Sequence, residues 1–270
     1  MLSKSDIQNV IALRQKKFRQ KYNQFIVEGE KMSEEVLAAT QFSVVSIFAV
    51  REWLDKNARA LKAHEQKTKE VSETELKLIS GLTTPNKVVM VLKNDERRTM
   101  NDQQKTMDKE SNYGSSFIVY RSSFVLYLDG IQDPGNMGTI WRIADWFGIE
   151  NVFCSDTCVD AWNPKVIQSC MGAFLRIRTQ EINFAELKKT FPDYPVYGAV
   201  LSGENIFGQQ SAEFKKNKCG IIVIGNEGNG ISPDILKEIR YQISIPRAGK
   251  AESLNAAVAT GIICAVLINS

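Results

Sequence analysis

The feature that most constrains the fold is an alternation of short apolar runs with helical stretches in the second half of the sequence. From Phe117 onward, segments with helical periodicity separate β-rich runs that read FVLYL, NVFC, YPVYGAV, GIIVIG and QISIP. Strands of a parallel sheet buried on both faces read as nearly continuous hydrophobic runs, and crossover helices join them. The sequence therefore predicts an α/β fold with a mostly parallel sheet and helices on both faces.

A smaller α/β unit is predicted before this region. A basic amphipathic segment over residues 7–22 leads to a short strand at 25–29, and further apolar runs at 43–50 and 87–92 fit buried strands. Residues 93–116 are polar and charged, which is typical of a linker or a long surface loop. We therefore expect one domain over residues 1–92, a linker over 93–116 and a second domain over 117–270.

The histidine and cysteine content disfavours several kinds of catalytic site. His64 is the single histidine, and the five cysteines form no close C-x-x-C pair. A His-ligated metal centre, a Ser-His-Asp triad and a Cys-His nucleophile all need residues that this sequence lacks at suitable spacings. We expect no metal site, and cysteines that are reduced.

The apolar segments do not predict a membrane protein. The longest one, residues 254–268, spans 15 residues and contains Asn255, so it fits a buried helix better than a membrane span. The N-terminal segment shows no apolar core followed by a cleavage site. A cytoplasmic protein without a membrane partner is the expectation.

Charge is distributed unevenly along the chain. Residues 1–123 carry 21 Lys and Arg against 16 Asp and Glu, whereas residues 124–270 carry 13 against 15. A basic first half indicates contact with a polyanion. Around the aromatic positions Phe18, Tyr22 and Phe25, which we expect to pack inward, five cations are predicted to contact RNA phosphates: Arg14, Lys16, Lys17, Arg19 and Lys21. A solvated charged helix face is the alternative.

The first of three unusual loops covers residues 129–136 (DGIQDPGN) and precedes a helix. Asn136 is a suitable N-cap, and Gly148 is placed to end the helix. Ile140 begins an apolar face, and Arg142 lies about 200° from it around the helix axis. Arg142 should therefore face solvent or a ligand.

The second loop covers residues 225–232 (GNEGNGIS) and directly follows an apolar strand. Its glycines allow sharp turns and a close approach by a ligand, but the pattern is neither G-x-G-x-x-G nor a P-loop. Glu227 would repel a phosphate and suits a cationic ligand or a hydroxyl donor. A plain glycine-rich connection remains the alternative.

The third loop lies at the start of residues 245–262 and leads into an apolar helix. Ser253 is predicted to cap this helix. Asn255, at the start of a buried helix, needs hydrogen-bond partners because an unpaired buried amide is costly. Capping and packing would explain this loop if it stood alone.

The three loops, taken in order, resemble the motifs of a known protein family. They read Asn-x-Gly-x-Ile-x-Arg-x-Ala-x-x-Phe-Gly, Gly-Asn-Glu-Gly-x-Gly-Ile and Ile-Pro-x-x-Gly-x-x-x-Ser-Leu-Asn. They are similar to the SpoU/TrmH-type RNA ribose methyltransferases of the knotted SPOUT superfamily. Residues 1–92 resemble the ribosomal-protein-like substrate-binding domain that is often fused in front. One departure is Ala257, where relatives often have a second serine.

The resemblance implies a C-terminal trefoil knot, a homodimer and S-adenosylmethionine as the cofactor. It implies adenosine contacts through backbone groups of Gly225, Ile245 and Leu254, and the glycine at 228 would let the cofactor approach the loop. It also places five side chains in the reaction site: Asn136, Arg142, Glu227, Ser253 and Asn255.

The predicted reaction is methylation of a ribose 2′-hydroxyl in structured RNA, with ribosomal RNA favoured over transfer RNA and no DNA partner expected. A guanidinium rarely loses its proton, so Arg142 is predicted to bind a phosphate and stabilise a developing alkoxide, while a general base remains the alternative. Base methylation by the same domain and a catalytically silent RNA-binding protein also remain open.

Overall fold

The computed structural model describes residues 2–94, 124–208 and 216–268. By their packing, the described residues divide into two units, one of residues 2–94 with 162–168 and one of residues 124–161 with 169–208 and 216–268. The predicted linker lies outside the described residues from residue 95 onward, so the domain boundaries stay a prediction. No helix in the described ranges is both long enough and apolar enough to cross a membrane.

The first unit is built on a four-stranded sheet with the order β1-β4-β2-β3. Strand β4 pairs antiparallel with β1 and β2, and β2 pairs parallel with β3. All residues of β4 except the last are buried, which explains its continuous apolar sequence. The strands are β1 (Gln24–Glu28), β2 (Ser43–Ala49), β3 (Thr68–Glu70) and β4 (Val88–Lys93).

The helices of this unit are α1 (Lys4–Ala12), α2 (Lys16–Tyr22), α3 (Glu30–Ala38), α4 (Arg51–Lys56), α5 (Ala58–Leu61) and α6 (Glu73–Ile79), with a 3-10 helix at Lys62–Lys67. The basic start over residues 7–22 forms parts of two helices, α1 and α2. The chain turns at Gln15, which is extended and precedes α2. Helix α2 ends at Asn23, whose positive φ of 51° stops the helix.

The second unit contains a six-stranded sheet with the order β10-β8-β9-β5-β6-β7, in which all neighbouring strands are parallel. The predicted α/β fold with a parallel sheet is thereby confirmed. Its strands are β5 (Phe124–Asp129), β6 (Asn151–Cys154), β7 (Arg178–Glu181), β8 (Val196–Asn205), β9 (Gly220–Gly225) and β10 (Tyr241–Ser244). Its helices are α7 (Pro134–Trp146), α8 (Pro164–Cys170, which spans both groups of residues), α9 (Phe184–Thr190), α10 (Pro233–Leu236) and α11 (Ala256–Ile268), with a 3-10 helix at Ala173–Leu175.

The strand order creates a switch point between β5 and β9. The chain leaves β5 toward β6 on one side, and it leaves β9 toward β10 at the opposite edge. In open parallel sheets, ligands bind outside the carboxyl ends of strands at such a point. The loops that follow β5 and β9 are the first two loops that the sequence singles out.

Candidate active site

The first two loops are held together by polar groups at the ends of β5 and β9. Asp129, the last residue of β5, lies opposite Gly225, the last residue of β9. The buried Asp129 carboxylate accepts the Ser232 N–H at 2.7 Å. The Asn226 Nδ2 donates to the Gly130 carbonyl at 2.8 Å. One buried carboxylate and one amide therefore fix both loops at the same edge of the sheet.

The loop after β6 supports the first loop from below. Ser155 Oγ accepts the Gly130 N–H at 2.9 Å, and Cys158 Sγ donates to the Leu128 carbonyl at 3.2 Å. A hydrogen bond with Cys154 lowers the pKa of the Cys158 thiol to about 7. Gly130 has a φ of 71°, a conformation that favours glycine. The backbone of the first loop is thus anchored before it reaches α7.

The second loop closes on itself through Asn226. Its backbone exchanges two hydrogen bonds with Gly230, and its Oδ1 accepts the N–H groups of Gly228 and Asn229. A Cβ at Gly225 would lie 2.4 Å from the Gly230 carbonyl carbon. Gly225 is therefore required by the loop itself, whether or not a ligand is bound.

Other glycines leave the loop backbone open to a ligand. A Cβ at Gly228 would meet only the Asn226 Oδ1, at an ordinary 3.5 Å, and a Cβ at Gly230 or Gly249 would meet nothing within 4 Å. Ile245 is half-buried and Leu254 is 46% exposed. The backbone at Gly228 and Gly249 therefore leaves room for a ligand to approach.

A chain of side-chain hydrogen bonds joins all three loops. Asn255 Nδ2 donates to Asn136 Oδ1 at 2.8 Å, and Asn136 Nδ2 donates to Glu227 Oε1. Asn255 Oδ1 accepts the N–H groups of Ala257 and Val258, and the Glu227 carboxylate is an acceptor. Because the hydrogen-bonding groups at both ends of this series are fixed, they determine how the Asn255 and Asn136 amides are oriented.

Two of the predicted helix caps are wrong. Helix α7 begins at Pro134, and Asp133 is its N-cap, with Oδ1 accepting the Asn136 N–H at 2.8 Å. Proline suits the first position of a helix, so the cap falls before it, and the Asn136 side chain is left for the chain of hydrogen bonds. Helix α11 is capped by Asn255, which is exposed, and not by Ser253.

Arg142 is exposed on α7, as its helical position predicts, while Ile140 on the other face is fully buried. Nearby on the helix, Asp145 is paired with Arg176 at 2.9 Å. Among the described residues, no hydrogen bond joins Arg142 or the exposed Ser253 to the three-residue chain. The structure thus brings together Asn136, Glu227 and Asn255, and it leaves the roles of Arg142 and Ser253 as predictions.

The predicted RNA-contacting cations divide into two groups. Lys16, Lys17 and Lys21 are exposed. Arg19 is 5% exposed and donates to the Leu13 carbonyl, and Arg14 Nη2 donates to the carbonyls of residues 79 and 80. The expectation that all five cations point outward is wrong for Arg19, because backbone carbonyls at helix ends need donors and this buried arginine supplies one. Arg14 is exposed as expected, and it also donates to backbone carbonyls.

The expectation that the aromatic residues of this segment pack inward holds only for Phe25, which is fully buried. Phe18 is half-buried and Tyr22 is 41% exposed.

The sequence interpretation missed Asp129 and Asn226. Asp129 stands at the end of a wholly buried strand and before a glycine, which is a recognisable signal for a carboxylate with a fixed partner. Asn226 was hidden among the loop residues because the partner of its Nδ2, the Gly130 carbonyl, is brought to it only by the fold. Across the described parts of the chain, no group of three or more His, Cys, Asp or Glu is arranged to hold a metal ion.

Two family descriptions match the chain. Residues 123–265 match the SpoU rRNA methylase family, and residues 4–90 match the MRM3-like substrate binding domain.

Similar proteins cover nearly the whole chain. The 23S rRNA (guanosine(2553)-2′-O)-methyltransferase RlmP of Bacillus subtilis is 29% identical over 261 residues, which cover 93% of this chain and 91% of that protein. A solved structure from Porphyromonas gingivalis, assigned to the TrmH family of RNA methyltransferases, is 33% identical with a TM-score of 0.80, covering 100% of this chain and 99% of the other. An AdoMet-bound rRNA methyltransferase from Sinorhizobium meliloti is 23% identical with a TM-score of 0.79, covering 100% and 97%, and it supports the fold alone.

Proposed function

This chain belongs to the SpoU rRNA methylase family, and on that premise we propose that it transfers the methyl group of S-adenosylmethionine to a ribose 2′-hydroxyl of ribosomal RNA. The observation that carries the proposal is the chain of hydrogen bonds from Asn255 through Asn136 to Glu227. It joins one residue from each of the three motif loops at the carboxyl ends of the sheet.

The cofactor fits the edge of the sheet where the loops meet. S-adenosylmethionine supplies an activated methyl group on a positively charged sulfur. The backbones of Gly225, Gly228, Ile245 and Leu254 would hold its adenosine part, and the exposed Glu227 carboxylate places negative charge beside the glycine loop. A carboxylate suits a sulfonium and would repel a dinucleotide phosphate.

Glu227 and the two asparagines form a positioning device for the acceptor hydroxyl. Asn136 occupies Glu227 Oε1, so Oε2 can accept a hydrogen bond from a ribose hydroxyl or from the cofactor. Asn255 holds Asn136 while it caps α11 and so ties the reacting groups to a helix. Such fixed alignment lowers the barrier for transfer between two bound groups.

Arg142 is proposed to bind a phosphate next to the target ribose and to stabilise the negative charge that develops on the 2′-oxygen. Its exposed position on α7 permits contact with RNA. Its planar guanidinium keeps its charge and offers paired donors to phosphate. Ser253, which is exposed at the third loop, would add a hydroxyl beside the acceptor.

A homodimer built by the second unit is also part of the proposal. Three large apolar side chains are open to solvent in the single chain: Trp146 of α7 is 85% exposed, Val258 of α11 is 51% exposed, and Leu254, just before α11, is 46% exposed. Helices α7 and α11, which carry two of these side chains, pack on each other. Light scattering on the full chain should give twice the chain mass, and an active monomer would refute the dimer.

The C-terminal trefoil knot is proposed from the path of the chain. Strand β10 lies at the sheet edge beside β8, yet the following helix α11 packs against α7 and central strand β9. The chain must therefore return from the edge to the centre, as a threaded C-terminus would.

The proposed compartment is the cytoplasm.

The experiment that tests the function is transfer of a deuterated methyl group from labelled S-adenosylmethionine to purified ribosomal RNA, followed by nucleoside mass spectrometry. The proposal predicts a label on ribose, where it also blocks alkaline cleavage of the adjacent linkage. A label on a base would favour the rival base methylation. Cofactor binding without transfer to ribosomal or transfer RNA would favour a silent RNA-binding protein.

A further inference from the structure

Helix α2 buries an arginine and leaves one aromatic ring exposed. Arg19 is the one buried residue of this helix, and its Nη1 donates to the Leu13 carbonyl at 2.9 Å. Tyr22 on the same helix is 41% exposed and Phe18 is half-buried. A surface helix normally turns its apolar face to the core. Folding of the first unit therefore does not explain why the Tyr22 ring lies at the surface.

The two rings form a nearly parallel pair. Phe18 and Tyr22 are one helical turn apart, their centroids are 6.1 Å apart and their planes differ by 12°. Lys17 Nζ lies 4.8 Å from the Phe18 ring centroid, and Lys21 Nζ lies 5.3 Å from that of Tyr22. The helix thus presents flat aromatic surface and positive charge side by side.

The charge around the rings has a single sign. Residues 7–27 contain five Lys and Arg and no Asp or Glu. Arg19 is buried, so the exposed cations on this segment are Arg14, Lys16, Lys17 and Lys21. Arg14 also donates to two backbone carbonyls, which leaves the three lysines as the cations without such a bond to the described residues. A cationic surface that carries an exposed ring is complementary to nucleic acid, whose phosphates bind the cations and whose bases stack on the ring.

We propose that the Phe18–Tyr22 ring pair stacks against an unpaired base of the RNA substrate while Lys16, Lys17 and Lys21 bind the flanking phosphates. The inference rests on the proposed RNA methylation and specifies the kind of RNA. Bases inside an A-form duplex are already stacked on each other, so they cannot use the rings. The RNA element that the first unit binds must therefore offer a loop or a bulge.

The test compares the affinity of the full chain for a fluorescent hairpin RNA with an unpaired loop and for a fully paired duplex of the same length. Tyr22→Leu should weaken hairpin binding about tenfold and change duplex binding less than about twofold, since only the stacking is lost. Tyr22→Phe keeps the ring and should bind the hairpin as the parent does. Equal losses on both RNAs, no loss on the hairpin, or failure of Tyr22→Phe to restore affinity would overturn the proposal.

A charge variant separates stacking from phosphate contact. Lys17→Gln should weaken binding to both RNAs and reduce the salt dependence by about one charge, whereas Tyr22→Leu should leave the salt dependence unchanged. If Tyr22→Leu does not fold, photocrosslinking of the parent to a loop 5-iodouridine still decides, because the crosslink must map to the peptide containing Phe18 and Tyr22. A crosslink elsewhere overturns the stacking.

These measurements need no methyl transfer. A protein that binds the hairpin through the rings but transfers no methyl group would refute the proposed function and leave the stacking proposal standing. Normal methyl transfer with no effect of Tyr22→Leu would refute the stacking alone.

Discussion

Polar motif residues in the loops of the second unit contact one another, whereas the basic residues in and next to helix α2 of the first unit are only partly left for a ligand. In the loops, Asn136 bonds both Glu227 and Asn255, which follow it in the sequence by 91 and 119 positions. In and next to α2, two of five neighbouring cations, Arg14 and Arg19, are used by the fold itself. Loop residues at the carboxyl ends of strands are brought together by the sheet. A run of basic residues on a helix does not indicate which of them bind a ligand.

The largest expected effect concerns Arg142, an exposed cation of the second unit. Arg142→Ala should lower the single-turnover methylation rate by about 10²–10³-fold, because a stabiliser of developing charge is lost. Cofactor affinity by calorimetry and the free energy of unfolding should stay nearly unchanged, since the side chain is exposed. A strong loss of cofactor binding would contradict the proposed role of Arg142 in binding an RNA phosphate.

Arg142→Lys distinguishes phosphate binding from general-base catalysis. Lysine keeps the charge but loses the paired donors, so a little activity should remain with the parent's pH–rate profile. Lysine loses its proton at lower pH than arginine, so a base role would move the rising limb of the profile to lower pH.

The next largest effect should appear in the first unit, as a change in stability. Arg19→Ala should lower the free energy of unfolding by about 1.5–3 kcal/mol, because a buried charged donor to the Leu13 carbonyl is lost. The matched exposed change Lys17→Ala should stay within about 0.5 kcal/mol. Chemical denaturation measures the free energy of unfolding of both variants. Equal values would contradict the conclusion that the fold uses Arg19 and does not use Lys17.

Two glycines of the second loop offer a similar contrast between folding and binding. Gly225→Ala should destabilise the second unit by roughly 1–3 kcal/mol, since its Cβ would press on the Gly230 carbonyl carbon at 2.4 Å. Gly228→Ala has room, and the larger Gly228→Val should weaken cofactor binding without unfolding the protein. Thermal unfolding and calorimetry with S-adenosylmethionine separate the two effects. Unchanged cofactor affinity in Gly228→Val would count against the cofactor placement.

The smallest expected effect isolates one hydrogen bond. Asn255→Asp keeps the acceptor that caps α11 but cannot donate to Asn136 at neutral pH, so the methylation rate should fall about tenfold with stability preserved. Asn255→Ala loses the cap as well and should cost about 1 kcal/mol of stability. If Asn255→Asp is as active as the parent, the chain of hydrogen bonds does not position the reacting groups.

The fold and the meeting of the loops could be predicted because both follow from patterns along the backbone. Apolar runs predict parallel strands, and parallel strands bring their following loops to one edge. The cap residues could not be predicted as well, because Asp133, Asn136, Ser253 and Asn255 all suit a helix start. Which one caps depends on where Pro134 begins α7 and on which amide Asn136 can reach.

Partners that are distant in sequence were the other limit. Asn226 contacts Gly130, which precedes it by 96 positions, and Arg14 reaches a carbonyl 65 positions away. Nothing in the local pattern identifies either contact. Periodicity also failed for α2, because the helix buries Arg19, whose Nη1 donates to the Leu13 carbonyl at the end of α1, while Tyr22 stays exposed.

The most direct test of the account is a double-mutant cycle between Asn136 and Glu227 on the single-turnover rate of methyl transfer. Asn136→Ala, Glu227→Ala and the double variant are compared with the parent at saturating cofactor and RNA. If the two side chains act as one hydrogen-bonded unit, the double variant should be faster than the product of the single losses predicts, with a coupling energy of about 1 kcal/mol or more. Losses that add within about 0.3–0.5 kcal/mol would contradict a single site assembled from the three loops.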